Sequence, residues 1–269
     1  MGRVAQGRLS FERAGAGTAI HTAYAESPLR LLTPRSRGPG AWAFTSTLGA
    51  GLLDTDRVRL EISVGPGARA CVCTQGPTRV FRSPGGCSTE LIARVEEGAA
   101  LVLAPDPAAC FAGARLEQRT EIDLAAGTSL SLHEVLSAGR DGWALARCRT
   151  ALAIRRAGKA VIDEAWLLDP AHGALPERLG RFRALATLVL AGPLFAGVRA
   201  SVQARIESAP AARGARLLQS ASALCTDVLL VRLAGETVEE VLLALRAHLA
   251  AVPSLIGNDP WRRDAPHAA

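Results

Sequence analysis

The segments VGPGARA (64–70), VEEGAAL (95–101) and LAAGTSL (124–130) follow one plan: an apolar residue, two turn residues, a glycine, a small residue, then a new strand. Gly67, Gly98 and Gly127 stand 31 and 29 residues apart. Glycine recurs there because the turn asks for a positive φ, which costs energy to any residue with a Cβ. A strand–turn–strand unit repeating at this period stacks into a sandwich or a β-helix-like solenoid.

Between the turns the pattern has period two. In DRVRLEISV, Val58, Leu60, Ile62 and Val64 share a face opposite Arg57, Arg59, Glu61 and Ser63. In ARLEQRTEIDL, Ala114, Leu116, Ile122 and Leu124 share a face, with Gln118 and Thr120 between them. The alternation predicts half-buried antiparallel strands. The end of the chain differs. TVEEVLLALRAHLA (237–250) opens with a Thr237/Glu240 capping box and carries a Val238, Val241, Leu242, Leu245 stripe, so it is a helix. PERLGRFRALATLVL (176–190) reads as a second helix or a helix-to-strand transition, and DVLLVRLAG (227–235) as a strand. The fold class is mainly β: stacked antiparallel strands, β-helix-like or sandwich-like, with one or two C-terminal helices. Residues 1–252 are expected to form one domain, and 253–269, with Pro253, Pro260 and Pro266, a loose tail.

Apolar residues are 49 % of the 269, enough for a packed core. Of the 31 basic residues only Lys159 is a lysine, and the arginines are scattered. A net charge of +6 spread this way suits a solvated surface or an acidic protein partner better than nucleic acid. MGRVAQGRLSFERAG has no apolar stretch of signal-peptide length. The apolar run from 184, ALATLVLAGPLFAGV, is broken by Gly192 and Pro193 and is too short for a bilayer. The expected location is cytoplasmic, away from membranes, and six unevenly spaced cysteines there do not make a disulfide framework.

No catalytic constellation is marked. GAGLLD (49–54) has Asp54 in place of the last fingerprint glycine and leads into a strand, where a dinucleotide needs a helix N-terminus. There is no P-loop, no His-Glu-x-x-His and no Cys-x-x-Cys. More informative are carboxylates on apolar strand faces: Glu134 with Leu130, Leu132 and Leu136; Glu164 with Ile162, Trp166 and Leu168; Asp56 ahead of Val58. A carboxylate facing a dry core must be paired, protonated or wet. Either each meets an arginine or solvent at a strand end, or several line an internal polar cavity able to pass a cation.

SPLRLLTPR, LGAGLLDTDRVRLEISVGPGARACVCTQGPTRVFRS and LVLAPDPAACFAGARLEQRTEIDLAAGTSLSLHEVLSAGR, with LLVRLAG ahead of a helix, carry a resemblance. Pro105-Asp106-Pro107, Phe111 to Ala114 and Gly139-Arg140 fall in the order and spacing of the urease accessory proteins called UreD or UreH, and the likeness covers most of residues 5–250. It implies a non-enzymatic maturation factor, mostly β and β-helix-like with a few C-terminal helices. The family joins a UreF-type helical partner and, through it, a UreG-type GTPase. The assembly docks on apo-urease and helps deliver nickel, for which an internal water-filled tunnel has been proposed. Ala50 and Thr55 depart from glycines of the family pattern, while Asp56 keeps its aspartate.

The resulting expectation is a scaffold and nickel conduit with no tightly bound cofactor and only transient nickel. Asp56, Glu134 and Glu164 are the candidate path residues. Cys71 and Cys73, two apart on a strand, project together. They are read as a packed, reduced pair, with accessory ligation of the nickel path as the alternative. The partner is expected to cover part of the C-terminal helix and the apolar run 184–198. The alternative function is an all-β enzyme using the carboxylates as acid and base.

Overall fold

The computed structural model describes residues 4–36, 38–257 and 259–261. Its first strands are β1 (Ala5–Ala14), β2 (Gly17–Ala25), β3 (Leu29–Leu32), β4 (Ala41–Thr47), β5 (Arg57–Val64) and β6 (Arg69–Thr74). There follow β7 (Thr78–Val80), β8 (Cys87–Val95), β9 (Ala100–Ala104), β10 (Ala108–Cys110), β11 (Arg115–Leu124), β12 (Ser129–Ala138), β13 (Arg147–Arg156) and β14 (Lys159–Leu168). A short helix α1 (Leu175–Leu179) leads to β15 (Ala184–Ala191), then come α2 (Ala196–Glu207), β16 (Leu217–Cys225), β17 (Val228–Gly235), α3 (Val238–His248) and α4 (Val252–Ile256). One sheet runs β14-β13-β11-β8-β5-β1-β2 and the other β16-β17-β15-β12-β9-β6-β4-β3, with β7 and β10 attached beside β12.

Each glycine turn passes the chain from the first sheet to the second, and the next segment returns it one rung further on. The mainly-β, β-helix-like expectation holds, but the pairing within the stack is parallel: β5, β8, β11 and β13 in one sheet, β4, β6, β9 and β12 in the other. Parallel neighbours need a crossover, and here the strand of the opposite sheet is that crossover. Short turns suggested hairpins because the sequence shows how long a connection is, not which sheet it enters. Antiparallel pairing is found towards the ends of the sheets, in β1–β2, β3–β4, β13–β14 and the run β12–β15–β17–β16. Arg57 lies opposite Ser88 and Cys87 opposite Leu116, offsets of 31 and 29 residues, so the turn spacing is the coil length. Gly67, Gly98 and Gly127 have φ of 64°, 66° and 66°. Their turns stack: Gly67 N donates to Glu97 O at 3.0 Å, and Gly98 N to Ala126 O at 3.3 Å.

The middle of the second sheet is buried on both faces. Its inner face meets the first sheet through Leu101, Leu103, Leu130 and Leu132, and its outer face is roofed by α2, α3 and α4. Every residue of β15 is buried. The apolar run at 184–191 is therefore a central strand that the chain covers by itself, which corrects the expectation of surplus apolar surface there. Val198, Val202 and Ile206, four apart, seat α2 on that sheet; each such side chain contributes about 1.5–3 kcal/mol by leaving water. The Thr237/Glu240 capping box is formed. The segment from 253, expected as a loose tail, is packed over its first residues: Arg69 Nη1 donates to Leu255 O at 2.7 Å, Gly40 N donates to Ile256 O at 3.0 Å, and Ile256 is buried. Residues 262–269 lie outside the described residues.

Thr55 sits at φ 67°. A β-branched residue in the left-handed region is strained by about 1–2 kcal/mol, of which the unfolded-state entropy of glycine returns part. Thr55→Gly is expected to stabilise the protein by about 1 kcal/mol, read as a raised midpoint in urea; an unchanged or lowered midpoint would contradict the strain.

Candidate functional site

The polar residues that interrupt the apolar face of β11 mark the site. Gln118 and Thr120 point between the sheets, where Gln118 Nε2 donates to Glu134 Oε1 at 3.1 Å and Thr120 Oγ1 donates to the same oxygen at 2.7 Å. Glu134 stands on the inner face of β12, opposite Thr187 of β15. These groups line a cavity of about 560 Å³ that also touches Val58 and Leu60 of β5 and Thr89 and Leu91 of β8. Of the exposed members of its lining, Gly49, Ala50, Gln75, Pro77 and Arg79 put a mouth at the segments after β4 and β6, and Arg119 lies on β11. A second cavity of about 30 Å³ shares Ala108, Gln118, Glu134 and Val135 with the first and continues to Thr150, Glu164, Trp166 and Thr187. That volume holds about one water. The two cavities follow each other along the stack of coils, from β5 to β14, with Glu134 at the junction.

Burial pushes the Glu134 carboxyl above its ordinary range, and the negative charge of Glu164 adds to this; the donors from Thr120 and Gln118 act against it. The surface that Glu134 keeps is cavity surface. Glu164, at the inner face of β14, is ion-paired to Arg232 of β17. The same guanidinium donates from Nη1 to Thr187 Oγ1 at 2.7 Å and lies 4.9 Å from the centre of the Trp166 ring. Glu134 is thus hydrogen-bonded where the two cavities share their lining, and Glu164 meets an arginine, one of the alternatives expected for these carboxylates.

The structure brings Glu134 and Glu164 together but leaves Asp56 apart. Asp56 lines neither cavity. Its Oδ2 accepts from Leu53 N at 2.8 Å, closing the turn before β5; the inward face begins at Val58. Cys71 and Cys73 are reduced and fully buried, with their sulfurs 3.6 Å apart. They project together, as expected, but to the outer face of the second sheet beneath the helices, whereas Val72 faces the inter-sheet core. A β-sheet therefore separates both thiols from the cavity. The hydrogen bond with Cys73 and burial hold the Cys71 thiol well above the usual thiol range. Among the described residues, no three His, Cys, Asp or Glu side chains gather as a metal-binding group.

Three participants escaped the sequence reading. Thr187 and Arg232 each interrupt an apolar strand at an inward position, the signal that did identify Glu134. His133 lies buried on the outer face of β12, and its Nε2 meets Pro105 O at 3.1 Å; burial lowers its pKa to about 4, so it is neutral and donates from that nitrogen. It anchors the Pro105-Asp106-Pro107 loop, where Asp106 N donates to Thr74 Oγ1 at 2.7 Å beside the large cavity.

Fold and site define a coiled β protein with two polar-lined cavities between its sheets that share Glu134. A sequence model of the UreD urease accessory protein family matches residues 3–265, and the chain belongs to that family. It is 43 % identical to the urease accessory protein UreD of Sorangium cellulosum (strain So ce56), over 97 % of this chain and 85 % of the relative. To the protein of the same name from Anaeromyxobacter sp. (strain Fw109-5) it is 39 % identical, over 97 % and 90 %. It also matches urease accessory protein D of Arabidopsis thaliana at 24 % identity, over 96 % and 100 %. Among the described residues no helix is long and apolar enough to cross a membrane.

Proposed function

We propose that this accessory protein serves urease maturation as a non-enzymatic cytoplasmic scaffold and as a conduit for nickel, working with a UreF-type partner, a UreG-type GTPase and apo-urease. The observation that supports the reading is the succession of two cavities between the sheets, from the mouth near Gly49 and Gln75 to Glu164, which share Glu134 in their linings. Oxygen ligands suit a carrier: nitrogen and sulfur sites would hold a late divalent metal tightly and favour copper over nickel. Carboxylate, amide and hydroxyl oxygens bind it weakly enough to release. An enzyme built on the same carboxylates would need a free base, and the pairing of Glu164 with Arg232 occupies one of the two.

The test is reconstitution. Apo-urease, nickel and the other accessory proteins should give active urease with this chain and little without it, and the chain should be retained on immobilised apo-urease in their presence. Turnover of a substrate by the chain alone, or equal activation without it, would refute the reading. The cysteine pair is a control: Cys71→Ala/Cys73→Ala should lose about 2 kcal/mol of stability through two small buried voids, measured by urea denaturation. Once folded it should activate urease normally; a folded, assembled variant that fails to deliver nickel would place the thiols on the path.

A further inference from the structure

Resting on the conduit reading, we propose that Arg232 is the gate of the passage: its guanidinium closes the end beyond Glu164 by occupying the place a travelling cation would take. Three lining residues of the narrow cavity, Glu164, Thr187 and Trp166, hold this one side chain. Glu164 takes the ion pair, Thr187 accepts at 2.7 Å, and Trp166 lies 4.9 Å from the guanidinium. Arg232 does not itself line the cavity but contacts three residues that do, and its side chain is 27 % exposed, so part of it faces solvent. Glu164 belongs to β14 at the edge of the first sheet, and Arg232 to β17 of the second, so the contact bridges the two sheets at the last coil.

The chemistry follows from charge. A divalent cation that has passed Glu134 meets a carboxylate already neutralised and a positive group a few ångströms ahead, so the closed end repels it. Swinging the long arginine side chain outward, towards the solvent it already faces, breaks the pair and leaves Glu164 open to the cation. The planar guanidinium suits this role because it pairs, donates and stacks at once while keeping its charge.

The experiment is isothermal titration of the purified full-length chain with Ni²⁺ alone. Arg232→Gln is expected to bind Ni²⁺ tighter than the unaltered protein by on the order of tenfold or more, and the gain should vanish in Arg232→Gln/Glu164→Gln. If Arg232→Gln does not fold, Arg232→Lys carries the test: it keeps a charge but loses the fork and the stacking, and should give a smaller gain that Glu164→Gln again removes. Equal affinities in folded variants, or a gain that survives loss of Glu164, overturn the gate. Urease activation separates the two ideas. Normal activation by Glu134→Gln and Glu164→Gln alongside the Ni²⁺ gain leaves Arg232 blocking a cation site at Glu164 but removes the conduit, and with it a gating role; impaired activation without any gain keeps the conduit and removes the gate.

Discussion

Glu134→Gln is expected to lower urease activation by about tenfold, the lower end of what groups beside a bound metal carry, while leaving the fold at least as stable. Both halves follow from the position of the carboxylate. It sits where the wide cavity meets the narrow one, so an ion moving between them passes it. Its folded pKa is raised, chiefly by burial. A raised acid pKa means that the fold favours the protonated form, so its stabilising effect is complete below the unfolded pKa and is lost as pH rises through the folded one. Glutamine keeps a carbonyl to accept from Thr120 and Gln118 and never ionises. The variant should therefore match the parent below about pH 4, the unfolded glutamate range, and become relatively more stable above it. Urea denaturation across pH and reconstituted activation read the two effects separately. Normal activation would show that nickel does not depend on this carboxylate.

That carboxylate was legible because Leu130, Leu132 and Leu136 fix which face of β12 is inward. The same parity placed Glu164 correctly, although its strand is apolar on both faces, since Ile162 and Leu168 join the inter-sheet core. Parity failed at Asp56 because it lies one residue before β5 begins, in a turn where Leu53 N claims the carboxylate. The coil length was readable from glycines that need positive φ, a local property. The parallel pairing was not, since it depends on which sheet a turn enters. Nor was the role of β15 as an inner strand of the second sheet, because an apolar run reads alike whether the chain or a partner covers it. Arg232 stayed hidden for a related reason: a single arginine in VLLVRLAG announces a cost, while its partner Glu164 is 68 residues away.

Glu164→Ala should be the more damaging change to the fold. Glu164 and Arg232 are only 22 % and 27 % exposed, so removing one leaves the other charge largely buried and uncompensated. An exposed pair is worth about 0.2–1 kcal/mol and breaking a fully buried one costs about 3–5 kcal/mol; with the residual solvent contact the loss expected here is about 2–3 kcal/mol. Adding Arg232→Met should recover most of that loss, because the orphaned charge is gone and the methionine stem can still pack on Trp166. This double variant decides what Glu164 is for. If it regains stability and assembles with the partners but still fails to activate urease where Arg232→Met alone activates it, the carboxylate acts on the ion. If activation returns together with the fold, Glu164 served only to hold Arg232, and the passage ends, for nickel, at Glu134.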